Sequence, residues 1–175
     1  MILVESDAEG DWGESSDWEE LADRSARAAV AASRFEGLAD AGLEIEISVK
    51  FTSDAEVRAL NGAYRNKDKA TNVLSFPMID ASLLSSLMDV DGGQALLGDV
   101  VLAHGVCARE AEERGIPVDR HASHLIVHGV LHLLGYDHEQ GDEDAELMEA
   151  TERQALAAIG ISDPYAITEV HDQQP

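Results

Sequence analysis

Apolar and polar positions alternate most strictly over residues 43–51, where Leu43, Ile45, Ile47, Val49 and Phe51 interleave with Glu44, Glu46, Ser48 and Lys50. Side chains on a strand point to opposite faces in turn, so this period of two predicts a strand with one buried face. Upstream the period lengthens. Trp18, Leu21, Ala22, Ala28, Ala29, Val30 and Phe35 recur near helical spacing through an alanine-rich stretch, which predicts a first helix over residues 17–42. Residues 1–4 predict an edge strand, and the acidic residues 5–17 a loop.

Downstream of the clear strand, Ser53 followed by Glu56 forms a capping box, in which each side chain can satisfy the other's backbone N–H. It opens a short predicted helix ending near Tyr64. A polar loop over 64–72 precedes a strand over 73–76, stopped at Pro77. Residues 78–95 carry Leu83, Leu84, Leu87 and Met88 among Asp and Gly and predict an irregular insertion with one helical turn. A buried strand over 97–103 follows, then a helix over 106–114 ended by Gly115 and Pro117. Leu125, Val127, Val130, Leu131 and Leu133 supply the apolar surface of a helix over 118–134. A last helix over 141–159, acidic at its N-terminal end as the helix dipole favours, stops at Gly160. The expected fold is α+β, one domain over residues 1–165 with several helices packed on a small mixed sheet, and a tail over 166–175.

Composition narrows the class. The 175 residues are 45% hydrophobic, with no apolar run long enough to span a membrane and no basic, signal-like start, so a cytoplasmic protein is expected. Cys107 is the only cysteine, which excludes an intrachain disulfide and reads as a small buried hydrophobe. The net charge of −23 disfavours broad polyanion binding unless the few cations are concentrated. Lys50, Arg58, Arg65, Lys67 and Lys69 do put five of the twelve within twenty residues.

Candidate chemistry centres on residues 128–138. His128 and His132 are four apart, so on a helix both imidazoles lie on one face. Gly135 can take the left-handed conformation that ends a helix, letting the chain return His138 toward the same point. Three neutral imidazoles suit Zn²⁺, and three protein ligands leave a position open for catalysis. The spacing matches the three-histidine zinc proteases except that Gly129 stands where their general-base glutamate belongs, which removes the main warrant for peptide hydrolysis. His124, one turn earlier on the same face, could be a fourth ligand, but a role supporting the ligands or facing substrate is preferred, because a fourth ligand would fill the open position. Asp137 is a candidate partner for a ligand imidazole or a base. Arg65 is the candidate for phosphate, because a planar guanidinium offers two donors to non-bridging oxygens.

Three blocks of sequence resemble the YbeY family of bacterial metal-dependent endoribonucleases. They are Leu60-Asn61 with residues 64–69 and 71–77, then Leu97-Gly98-Asp99-Val100, then residues 124–138. The resemblance covers roughly residues 43–165. It implies single-strand-specific RNA cleavage, maturation of the 3′ end of 16S ribosomal RNA, ribosome quality control and one zinc per chain. By motif position it makes His128, His132 and His138 the zinc ligands and Arg65 the functional arginine, with ribosomal RNA and the ribosome or its small-subunit proteins as partners. Two departures stand out: Ala70 replaces the usual proline, and the segment between Pro77 and Leu97 is longer than typical. Two other classes stay open, a zinc peptidase or amidase and a non-catalytic ribosome-assembly factor with a structural zinc.

Overall fold

Backbone hydrogen bonding arranges four strands in the order β1-β2-β4-β3, with β1 (Ile2–Ala8), β2 (Glu44–Thr52) and β4 (Gln94–Ala103) mutually parallel and β3 (Val73–Pro77) antiparallel to β4 at one edge. The computed structural model describes residues 1–14, 16–137 and 141–165. Six helices complete the α+β fold in the described residues: α1 (Trp18–Ala32), α2 (Asp54–Arg65), the single turn α3 (Leu84–Leu87), α4 (His104–Arg114), α5 (Val118–Leu133) and α6 (Asp142–Ala158). None of them is long and apolar enough to cross a membrane.

The alternation of β2 works as a strand pattern should. Ile45, Ile47, Val49 and Phe51 are all at most 1% exposed and face the main core, where α1, α5 and α6 pack, while Glu44, Glu46, Ser48 and Lys50 face the other side. On β4 the same period divides Val100 and Leu102 from Val101 and Ala103. The second set joins Val57 of α2 and Leu74 of β3 in a smaller cluster on the opposite face. The sheet is therefore sandwiched between a thick helical layer and the short α2. Because β3 is an edge strand, α2 and α5 approach it from opposite faces, and both can reach round that edge.

Some local expectations change. Residues 5–8 are strand rather than loop, because β1 pairs with β2 through backbone groups as far as Ala8 opposite Phe51. After it Gly10–Trp12 forms a 3-10 turn whose buried Trp12 donates through Nε1 to the Thr52 carbonyl at 2.8 Å. The first helix stops at Ala32, and residues 36–40 form a separate 3-10 turn. Only half of the capping box forms. Ser53 Oγ accepts from the Glu56 N–H at 3.1 Å, but the Glu56 carboxylate turns away to Lys50 at 2.7 Å and Thr52 at 2.5 Å. A full positive charge outbids a backbone N–H. Residues 78–93 are irregular as expected, with the 3-10 turn Ala81–Leu83 and α3 anchored by fully buried Leu84, but β4 begins at Gln94, inside the expected insertion.

Candidate metal and phosphate site

Helix α5 carries His128 and His132 on one face, and their Nε2 atoms lie 3.1 Å apart. The helix ends in a Schellman arrangement: the Gly135 N–H donates to the His132 carbonyl and the Tyr136 N–H to the Leu131 carbonyl, each at 3.0 Å. Gly135, at φ +90°, makes that turn possible, and an added Cβ would stand 2.7 Å from that of Ala81. Tyr136, next along, is buried, and its hydroxyl accepts from the Arg34 N–H at 2.9 Å. The turn is thus fixed on both sides, and Asp137 after it lines the same cleft as the two histidines. His138 lies outside the described residues.

The partner of His128 comes from α6. His128 Nδ1 donates to Glu152 Oε1 at 2.5 Å, and the other carboxylate oxygen accepts from the Tyr165 hydroxyl. Glu152 is fully buried. Burial pushes its carboxyl up, but the imidazoles of His124 and His128 facing it outweigh that and hold it far below the usual carboxylate range. It is therefore ionised, Nδ1 of His128 carries the proton, and the Nε2 lone pair is turned to the cleft. Two nitrogens bound at about 2.0–2.1 Å in a tetrahedral shell stand about 3.3 Å apart, close to the observed separation. The pair fits a shared divalent ion. Among the described residues no set of three His, Cys, Asp or Glu is gathered for a metal, so these two imidazoles are the described part of any such site.

His124 does not join them at the cleft. It is buried against the Glu152 side, with Nε2 3.6 Å from Oε1, too long for a hydrogen bond, and among the described residues neither ring nitrogen has a hydrogen-bond partner. His121, also buried, pairs through Nε2 with Glu110 at 2.9 Å, and Glu110 accepts in turn from Asn72 Nδ2 at 3.0 Å. Asn72 lines the cleft, so this chain of contacts braces its floor from α4.

Gly129 sits where α5 presses on the sheet. A Cβ there would meet Val100 Cγ1 at 2.7 Å and Ser75 Oγ at 3.1 Å. A larger residue would force Val100 or the helix itself to shift, so glycine at this position suits the close packing of helix on sheet. The Gly129 carbonyl accepts from Ser75 Oγ at 3.1 Å, tying α5 to β3 at this point.

Ser75 also holds the opposite wall. Arg65, the last residue of α2, reaches round the edge strand, and its Nη2 donates to the Ser75 carbonyl at 2.7 Å while the guanidinium lies 5.7 Å from the Phe76 ring centre. The helix ends beyond it with Asn66 in the left-handed conformation at φ 57°. Buried Asn61 secures the following loop through Nδ2 to the Lys69 carbonyl at 3.0 Å. Arg65, His128 and His132 line one cleft of about 630 Å³ with Thr71, Asn72, Ser75 and Asp137. The basic cluster is otherwise divided. Lys50 pairs with Glu56 and Arg58 with Asp68, each at 2.7 Å, and of the cluster it is Arg65 that lines the cleft, whereas Lys69 lines a separate hollow beside Arg58 and Asp68.

Comparison with known proteins settles the kinship. The family profile described as Endoribonuclease YbeY matches residues 10–160. The chain belongs to the YbeY family. It is 55% identical over 169 residues to the endoribonuclease YbeY of Rhizorhabdus wittichii, covering 97% of this chain and 99% of that one. It is 51% identical to the endoribonuclease YbeY of Sphingopyxis alaskensis, covering 95% and 98%. Among solved structures, the solution structure of TM1509 from Thermotoga maritima superposes with a TM-score of 0.52 at 22% identity, covering 90% of this chain and 91% of that one, which is a likeness of fold.

Two residues that support this site escape a reading of the α5 motif alone, Glu152 and Tyr165. Glu152 had a signal: it lies on the buried stripe of α6 formed by Met148, Thr151, Ala155 and Leu156, where a carboxylate needs a partner. Tyr165 follows the last helix and carries no periodic pattern at all.

Proposed function

We infer that this protein is a zinc-dependent, single-strand-specific endoribonuclease acting in 16S ribosomal RNA 3′-end maturation and ribosome quality control in the cytoplasm. The observation that carries the reading is the cleft itself, in which paired imidazole nitrogens and a guanidinium share one cavity. His128 and His132 would hold the ion through Nε2, with His138 as the third ligand expected from the motif. When bound, zinc supplies Lewis-acid activation of water near neutral pH. Glu152 keeps His128 in the required tautomer. Arg65, with one donor on the Ser75 carbonyl, retains further N–H groups for the non-bridging oxygens of a phosphodiester, where negative charge grows as the bond breaks. His128 and Arg65 are the catalytic residues of this reading, and single-stranded ribosomal RNA, presented by the ribosome or its small-subunit proteins, is the substrate.

Gly129 disfavours a peptidase, since it has no side chain to act as general base and a larger one would press on Val100. A test compares an RNA spanning the 16S 3′ end, single-stranded and annealed to its complement, before and after chelation and zinc restoration. Cleavage of the single strand alone, lost with zinc and regained with it, is the expected result. Cleavage that survives chelation, or equal cutting of the duplex, contradicts the reading.

A further inference from the structure

The insertion that follows β3 walls a second hollow, and its chemistry differs from that of the cleft beside it. The hollow has a volume of about 330 Å³, at the lower end of the range of small-ligand sites. It shares Pro77, His132 and Gly135 with the cleft, so the two adjoin at these residues. Its own walls are Met78, Ile79, Ala81 and Leu133, with Asp80 as the one charge. The wall is built rather than loose. The Met78 N–H donates to the Leu97 carbonyl at 2.9 Å, Asp80 Oδ1 accepts from the Ser82 N–H and hydroxyl at 2.9 Å each, and Leu84 is fully buried beneath.

Polarity decides what suits each side. Arg65 faces the cleft and fits a phosphate, whereas the hollow offers apolar atoms and a carboxylate that repels one. A neutral heteroaromatic ring meets no such penalty. Met78, 61% exposed, presents a polarisable thioether of the kind that packs on ring edges and faces. We propose that this hollow receives one nucleobase of the RNA, that of a nucleotide next to the phosphate held at His128, His132 and Arg65. The proposal rests on the ribonuclease reading above and adds a cause for its strand preference: a base can enter the hollow only after leaving its stack, which a duplex resists.

The test uses the purified, metal-loaded protein and a set of single-stranded RNAs, each with one abasic ribose at a position flanking the cleaved bond. Steady-state kcat and KM are measured for each, with the wild type, Met78→Asp and Met78→Leu. Removing the base at one flanking position is expected to raise KM about ten-fold with kcat nearly unchanged, within the range of one base contact. Met78→Asp should raise KM similarly on intact RNA and add little on the abasic one, while Met78→Leu, which keeps the apolar surface and loses the thioether, should raise KM less than Met78→Asp does. If the intact and all abasic RNAs are cut with equal KM, or the two losses multiply, the hollow holds no base and the nuclease reading stands without it. If no single-stranded RNA is cut at all, the nuclease reading fails and the proposal with it.

Discussion

The two walls of the cleft are held in opposite ways. On the α5 side, His128 leans on a fully buried, ionised Glu152 that Tyr165 closes from behind, so its orientation is set deep in the core. On the β3 side, Arg65 hangs at the end of α2 and is steadied by one bond to an edge-strand carbonyl and the Phe76 ring. Ser75 touches both, donating to Gly129 with its hydroxyl and accepting from Arg65 with its carbonyl. The contrast fits the two tasks. For the roles proposed above, holding an ion requires fixed nitrogens, whereas meeting a phosphate that arrives with its substrate requires a cation able to adjust.

The contrast predicts where stability and activity separate. Glu152→Ala should have the largest effect, leaving the His128 Nδ1–H and the Tyr165 hydroxyl without their buried acceptor. We expect roughly 2–5 kcal/mol of lost stability in denaturant titrations, about 1–3 for each orphaned donor, and about 10–100-fold weaker zinc binding. Stability and zinc affinity both within error of wild type would break the comparison on that side. Arg65→Ala should do the reverse, lowering RNA cleavage about 100-fold or more with stability changed by less than about 0.5 kcal/mol. Arg65→Lys keeps the charge without the planar fork and should recover only part of the rate.

Gly129→Ala probes the seam between the walls. Its methyl would overlap Val100, so we expect a loss of about 1–3 kcal/mol, and combining it with Val100→Ala should cost less than the sum of the two, measured by a double-mutant cycle. The smallest effect is a pH dependence at Glu110. Burial pushes its carboxyl up, but its bonds with His121 and Asn72 more than offset this and lower it. A carboxyl lower when folded adds stability above its unfolded value near 4.5, and that contribution is lost as the pH falls through the folded value. Glu110→Gln should therefore flatten the fall in stability below about pH 5 in chemical denaturation.

Sequence made one wall more readable than the other. His128, His132 and Gly135 sit within two turns of one helix, so their spacing alone forecast the convergence that the Nε2 separation now displays. Glu152 lies 24 residues further on, and only tertiary packing of α6 on α5 brings it there. Around Arg65, sequence located the cations but not their partners. Five close positions spread over β2, α2 and a loop, and pairing with Glu56 and Asp68 depends on which faces those elements present. The strand pattern of β2 was plain because one face is buried. That of β1 faded after Val4 because an edge strand can be held by backbone bonds with exposed, polar side chains.

The most direct test of two differently built walls serving one reaction is to prepare His132→Ala and Arg65→Ala beside the wild type, measure bound zinc on each, and assay cleavage of the same single-stranded RNA. The account predicts that His132→Ala loses zinc and cleavage together, while Arg65→Ala keeps its zinc and loses cleavage. Arg65→Ala cutting at the wild-type rate, or His132→Ala retaining zinc and activity, would contradict it.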